Sequence, residues 1–499
     1  MQNQVQLITY VDRLAGDLPA LTRLLEGPLD GIFGGVHLLP FFDPIDGADA
    51  GFDPVDHTTV DARLGTWDDV EALGARVPVM ADLIVNHVSA SSPQFLDWLE
   101  HGSGSEYDGM FLSLDAVFPD GATEELVTAV YRPRPGLPLT PVQLADGTKR
   151  LMWTTFTPQQ IDIDVTHPTG RDYLEGILDT FAERGITSVR LDAVGYAIKT
   201  AGTSCFMTPE TFAFIDDLAA SAHRRDITIL VEIHSYWRTQ VEIASRVDWV
   251  YDFALPPLVL HALYSGDASP LRRWCEVRPH NAVNVLDTHD GIGVIDVGPG
   301  GSDPNKPGLL DPGQLDALVE GIHEASGGSS RAATGSAASN LDLYQVNCTY
   351  LDACGRDEAA YLIARLLQVW LPGIPQMYYV GLLAGENDLD LLERTGVGRD
   401  INRRYYTPDE VEQALQQPVV VGLLRLLRLR NDHPAFDGAW ELLDGDAASG
   451  QLAMRWSNAD EIAELAVDVR ARTYELRVTM DGELRSFVNV LDLPETDST

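Results

Sequence analysis

Eight short apolar runs rich in β-branched residues recur along the chain: Val5–Tyr10, Gly35–Leu39, Val79–Val85, Ser188–Asp192, Ile229–His234, Trp249–Ala254, Ala282–Asp287 and Ile374–Val380. They are nearly continuous rather than alternating, the pattern of strands covered on both faces. Between several of them apolar residues return with helical spacing. Leu174, Ile177, Leu178 and Phe181 do so before the fourth run, and Leu362, Ile363, Leu366, Leu367 and Trp370 before the eighth. Strands alternating with helices predict parallel βα units, and eight such units predict an α/β protein built on a (β/α)8 TIM barrel.

Two gaps are too long for βα loops. Residues 86–166 are rich in Pro, Gly, Ser and aromatics, and residues 292–355 in Gly, Ser and Ala. Both leave the end of the barrel where active sites are built. After about residue 436 the pattern becomes alternating, as in Gln451–Trp456 and Tyr474–Val478, which predicts antiparallel strands. The expected organisation is a catalytic barrel from 1–85, 167–291 and 356–435, an inserted domain at 86–166 after strand three, a second at 292–355 after strand seven, and a small C-terminal β domain at 436–499. Gly327–Ser339, biased to small residues, reads as a mobile loop.

Four of the strand ends carry carboxylates: Asp82-Leu-Ile-Val-Asn86-His87, Arg190-Leu-Asp192, Glu232-Ile-His234 and Asp287-Thr-His289-Asp290. Carboxylates there are poor for packing and well placed for chemistry. Asp192, Glu232 and Asp290 suit glycosyl transfer, in which one carboxylate attacks, one moves a proton and a third stabilises charge. Arg190 shares a strand face with Asp192. It is expected to hold Asp192 ionised and low, while Glu232 must be raised to serve as acid. His87, His234 and His289, with Asp290, form a rival set that could bind zinc. Lone histidines beside carboxylates more often hydrogen-bond substrate hydroxyls. Tyr131, Phe156, Tyr196 and Phe52 could form a platform for stacking a sugar.

The charge narrows the partners. Lys and Arg total 35 against 75 Asp and Glu, a net charge of −40. That excludes the basic footprint of a nucleic-acid binder and repels anionic membranes. An anionic substrate would need local arginines to overcome the global field. Cys205, Cys275, Cys348 and Cys354 form no metal-binding spacing and read as buried free thiols. The first ten residues show no secretory signal, and no apolar stretch reaches 18 residues, so a cytoplasmic location is expected.

The carboxylate segments resemble, in order and strand context, the four signature regions of the α-amylase superfamily of retaining glycoside hydrolases and transglycosylases. A narrower resemblance, over residues 1–435, is to the sucrose phosphorylase family. It rests on Val5–Tyr10, Gly47–Pro54, Tyr131-Arg-Pro-Arg134-Pro-Gly, Arg190–Tyr196, Ala338–Asn347 and Gly398–Asn402. The resemblance implies phosphorolysis of sucrose to α-glucose 1-phosphate and fructose with retention. Asp192 would be the nucleophile, Glu232 the acid/base and Asp290 the transition-state stabiliser. Asp49, His87, Arg190, His289 and Arg399 would hold the glucosyl unit between walls from Phe52 and Phe156. Tyr196, Leu341, Asp342 and Gln345 would contact the acceptor, Arg134 and Tyr344 would receive phosphate, and His234 joins the substrate-binding set. The loops carrying Arg134 and Asp342 are expected to exchange places between the two half-reactions. Asn86 matches a calcium ligand of many amylases, yet the narrower family implies no metal and no cofactor. Sucrose and phosphate are the partners implied, and a homodimer is compatible with the resemblance. Related α-glucoside phosphorylases and sucrose hydrolases are the alternatives, and a non-catalytic amylase-like scaffold would lack the carboxylate trio.

Overall fold

The computed structural model describes residues 1–47, 49–133, 136–300, 305–334 and 345–494. Eight parallel strands close into a barrel: β1 (Gln6–Thr9), β2 (Gly35–Leu38), β3 (Val79–Ile84), β4 (Ser188–Asp192), β5 (Thr228–Val231), β6 (Trp249–Asp252), β7 (Ala282–Asn284) and β8 (Ile374–Tyr378). They are the eight apolar runs, paired in chain order, with β8 closing on β1. Strands β5, β6 and β7 leave the ladder earlier than the hydrophobic pattern suggests, so Glu232 and Asp287 lie beyond pairing. Backbone that has left the ladder is free to aim its side chains at a site.

Two helices behave as their spacing predicts. Helix α1 (Pro168–Glu183) buries Leu174, Ile177, Leu178 and Phe181, and helix α2 (Glu358–Trp370) buries Ile363, Leu366, Leu367 and Trp370. Asp357 caps α2 by accepting from the Ala359 and Ala360 N–H groups.

The barrel interior is unusually polar at its centre. Arg190 and Asp82 are side by side in register. Arg190 Nε lies 2.7 Å from Asp82 Oδ1, and His37 Nε2 lies 3.3 Å from the same oxygen. Tyr251 Oη donates to Gln376 Oε1 at 2.9 Å. An apolar cluster of Met80, Leu230, Tyr251, Phe253, Val283 and Val285 packs around these groups. Asp82 and Asp287, grouped with the chemistry on sequence grounds, are buried and ion-paired with guanidinium groups; Arg365 holds Asp287 at 2.9 Å. Their arginines come from β4 and α2, distant in sequence.

Beyond the barrel, Phe42–Asp43 and Asp56–Val60 make a hairpin after β2 that the hydrophobic pattern did not indicate. Within 86–166, His87–Ser89 pairs antiparallel with Gln160–Asp162, and Leu139–Gln143 pairs with Lys149–Trp153. Leu112, Val117, Phe118, Val130 and Trp153 form a satellite core there with Cys205. Gly327–Ser339 is not a loop throughout. Gly327 and Gly328 turn the chain at φ 62 and 86, and Ser329–Thr334 is helical. Buried bonds join Ser330 Oγ to His323 Nδ1 and Ser326 Oγ at 2.7 and 2.8 Å. The rest of that stretch, with Leu341, Asp342 and Tyr344, lies outside the described residues, as does Arg134. The expected loop exchange therefore concerns residues outside the described set.

The C-terminal segment is a five-stranded antiparallel sheet: Ala439–Leu442, Gln451–Asn458, Glu461–Asp468, Thr473–Met480 and Glu483–Phe487. Trp370 at the end of α2 donates to Ala463 O, and Trp456 donates to Trp370 O at 2.6 Å. All four cysteines are buried and free. No helix among the described residues is long and apolar enough to cross a membrane.

Arg278 and Asp252, both fully buried, pair at 2.9 Å, and Arg278 also donates to Pro372 O, tying β6 to the approach of β8. Asp252→Ala leaves that guanidinium buried without its carboxylate. It should cost about 3–5 kcal/mol of unfolding free energy by denaturant titration.

Candidate active site

The three catalytic candidates arrive by three local devices. Asp192 is the last residue of β4, on the same face as Arg190, whose Nη2 donates to Asp192 Oδ1 at 2.6 Å. Ala193 then takes left-handed backbone (φ 55) and begins a tight turn that carries Tyr196. Glu232 is the first residue beyond β5. Asp290 sits on the segment after β7, which is held from behind: Arg403 Nε donates to His289 O at 2.8 Å, and Asn402 Nδ2 to Thr288 O at 2.9 Å.

One cavity gathers these groups. Asp49, Phe52, His87, Phe156, Asp192, Tyr196, Glu232, His234, His289, Asp290 and Arg399 line it. Arg190 is beneath the floor, 1% exposed. Gln345 stands behind the wall, with Nε2 3.2 Å from His234 Nε2 and Oε1 3.4 Å from Arg399 Nη2. Sequence reasoning missed Gln160, Pro133, Gly195, Phe206 and Ile233, which also line the cavity. Ile233 and Gly195 sit beside the carboxylates of their own segments, whereas Gln160 and Phe206 belong to no carboxylate motif. Phe206 stood out least, although it packs at 4.7 Å on Tyr196 and 4.9 Å on Tyr131.

The aromatic groups build walls rather than one flat platform. Phe52 stacks on His289 (4.8 Å, 12°) and lies under Arg190 at 5.1 Å. Phe156 meets His87 and Tyr196 edge-on at 5.5 and 5.2 Å. His87 Nε2 donates to Phe52 O at 2.8 Å.

Asp192 departs from the sequence expectation. Burial drives its carboxyl well above the ordinary value; Arg190 opposes this, while the Glu232 and Asp82 charges add to it. Sequence reasoning counted Arg190 and overlooked the desolvation and the second carboxylate below. Asp290 is the opposite case. Burial would raise it, but the Arg399 guanidinium at 2.8 Å, with Arg403 beside it, carries it far below the carboxylate range. It stays a fixed anion. Burial lowers His87 and His289, and both are neutral at neutral pH. For His234 burial is outweighed by Asp296, 2.9 Å from Nδ1, so its affinity for a proton rises.

The three-histidine zinc set does not assemble. Among the described residues, the donors that gather within 4.8 Å of one another are those of Glu232, His234 and Asp290. There His234 turns Nδ1 to Asp296, and Asp290 already faces Arg399. A cation would compete with that guanidinium. At Asn86, Lys199 Nζ donates to Oδ1 at 2.9 Å, pairs with Asp162 at 2.8 Å and donates to Tyr196 O. An ammonium thus occupies the oxygen that aligns with a calcium ligand, and it ties β3, residues 160–162 and the Tyr196 turn together.

The chain is similar to known proteins over most of its length. Residues 15–246 match the model of the alpha amylase catalytic domain. The chain is 60% identical over 468 residues to a sucrose phosphorylase of Agrobacterium vitis, covering 94% of this chain and 95% of that one. It is 53% identical over 469 residues to a sucrose phosphorylase of Bifidobacterium adolescentis, covering 94% and 92%. The crystal structure of sucrose 6F-phosphate phosphorylase from Thermoanaerobacter thermosaccharolyticum superposes with a TM-score of 0.89 at 36% identity, over 98% of both chains.

Asp192 predicts a stability effect separable from chemistry. A carboxyl raised in the folded state contributes stability below the unfolded value of 3.8, and loses it as pH rises through the folded value. Asp192→Asn should therefore melt higher than the unaltered protein at neutral pH, and the advantage should vanish as pH falls towards 3.8. Melting curves across pH check this; an equal or lower midpoint at neutral pH would remove burial as the dominant cause.

Proposed function

The chain belongs to the sucrose phosphorylase family, and from that premise we propose the roles of its residues in phosphorolysis of sucrose. The observation that carries the reading is the single cavity holding Asp192, Glu232, Asp290 and Arg399 in a chain that matches sucrose phosphorylases over nearly its whole length. Asp192 attacks the anomeric carbon of the glucosyl unit while Glu232 gives its proton to the departing fructosyl oxygen. A covalent β-glucosyl ester forms and the glycosidic bond breaks. Phosphate then enters the vacated side, Glu232 takes a proton from it, and a phosphate oxygen displaces Asp192, giving the α-phosphate. Two inversions amount to retention.

Arg190 selects Asp192 as the nucleophile, since its charge favours the ionised form against burial. Asp290, fixed as an anion by Arg399 and Arg403, faces the positive charge that develops on the glucosyl ring. Asp49, His87, His289 and Arg399 bind the glucosyl hydroxyls, with Phe52 and Phe156 as apolar walls. Tyr196, His234 and Gln345 attend the acceptor side. Arg134, Leu341, Asp342 and Tyr344 complete that side in this reading. Phosphate requires charge-assisted donors in a chain of strong negative charge. No metal is needed, because Lys199 supplies the positive charge at Asn86. The protein works in the cytoplasm on sucrose and phosphate. Residues 86–166 and 292–355 act as domains inserted in the barrel, with 436–499 as the C-terminal domain.

Anomer-resolved NMR of sucrose turnover is the direct test. Phosphate-dependent α-glucose 1-phosphate and fructose are expected. Free glucose at one rate with or without phosphate would mean a hydrolase, and no turnover would point to a related glucoside. Asp192→Ala should lower turnover by about a thousandfold or more. Glu232→Gln should cost about 10²–10⁴-fold on sucrose, and much less on a donor with an excellent leaving group. The acid limb of kcat/KM should lie above the ordinary carboxylate value, since activity rises as Asp192 ionises. Chelator should leave turnover unchanged, and activity lost to it and restored by calcium would refute the role of Lys199.

A further inference from the structure

His234 follows Glu232 by two residues, and its ring lies flat on Phe253 at 3.8 Å and 14°. Its Nδ1 is 2.9 Å from Asp296 Oδ2. Asp296 is fully buried, and its other oxygen accepts from Ser235 N–H at 3.1 Å and Gln240 Nε2 at 2.7 Å. A carboxylate with three donors can only accept, so the proton on this edge of the imidazole belongs to Nδ1. The opposite edge receives the Gln345 amide N–H at 3.2 Å. Gln345 Oε1 accepts from Arg399 at 3.4 Å, and Arg399 pairs with Asp290 at 2.8 Å. From Arg399 through Gln345 and His234 to Asp296, every bond runs in one direction.

We propose that Asp296 is a positioning residue for the acceptor side of the reaction. It fixes His234 with its proton on Nδ1, so that Nε2 is kept as an acceptor facing the cavity and Gln345 is held with its N–H towards it. The inference rests on the functional reading above. A fructosyl hydroxyl can then donate to Nε2, competing with the Gln345 amide for one lone pair. Asparagine at 296 cannot reproduce this. It has one acceptor oxygen for donors on two sides, so its amide N–H must face either His234 Nδ1–H or the Ser235 and Gln240 donors. A buried aspartate that sets an imidazole tautomer is a recurrent arrangement in hydrolytic sites.

Nitrogen-15 NMR of the full chain labelled at histidine reads the tautomer directly, with His234 assigned by its absence in His234→Gln. At pH above the raised value of His234, a protonated Nδ1 and an unprotonated Nε2 are expected, and the reverse would overturn the proposal. Asp296→Asn should lower kcat/KM for fructose in the reverse reaction by about tenfold, the weight of one oriented hydrogen bond. It should lower kcat/KM for an activated α-glucosyl donor several-fold less. It should add little in a His234→Ala background. Equal losses on donor and acceptor, additive with His234→Ala, would mark Asp296 as merely structural. The tautomer is read without turnover, so it judges this inference even where phosphate dependence, the test of the functional reading, fails.

Discussion

Arg190 brings a full positive charge into the barrel, where it is 1% exposed, and Asp82 and Asp192 flank it at 2.7 and 2.6 Å. Removing such a charge from water is costly unless it is paired on several sides. The pairing here is vertical. Asp82 secures the guanidinium from within the barrel, through His37 as well, and Asp192 meets it at the mouth. The carboxylate of the proposed nucleophile is therefore positioned by the barrel interior. The loops above can differ without moving it.

The same site carries two opposite solutions for a buried carboxylate. Asp192 has one guanidinium, shared with Asp82, and lies near Glu232, so burial prevails and its carboxyl is raised. Asp290 has Arg399 and Arg403 beside it, and it stays ionised although Glu232 comes within 4.8 Å. Groups of one residue type gain different duties through the number of cations they face.

Much of this was legible along the chain. The eight barrel strands are the eight apolar runs, because strands covered on both faces must be continuously apolar. Helix α1 follows from the spacing of Leu174, Ile177, Leu178 and Phe181. Asp192, Glu232, His234 and Asp290 were visible since each breaks an apolar run at its end. Phe206, Gln160 and Pro133 were not visible, because they reach the cavity from long connections with no period to betray their direction. Asp82 and Asp287 read as chemistry, and their burial against arginines was hidden because those partners lie far off in sequence.

Sequence by itself determined the strand count, the helix faces and the order in which carboxylates reach the barrel mouth, all of which depend on local periodicity and chain order. The tertiary structure alone decided which carboxylate is raised, which histidines stay neutral, and that a lysine ammonium meets Asn86. Those outcomes depend on burial and on charges brought together from distant segments. Coulomb and desolvation energies are set by distance in space, which chain separation does not encode.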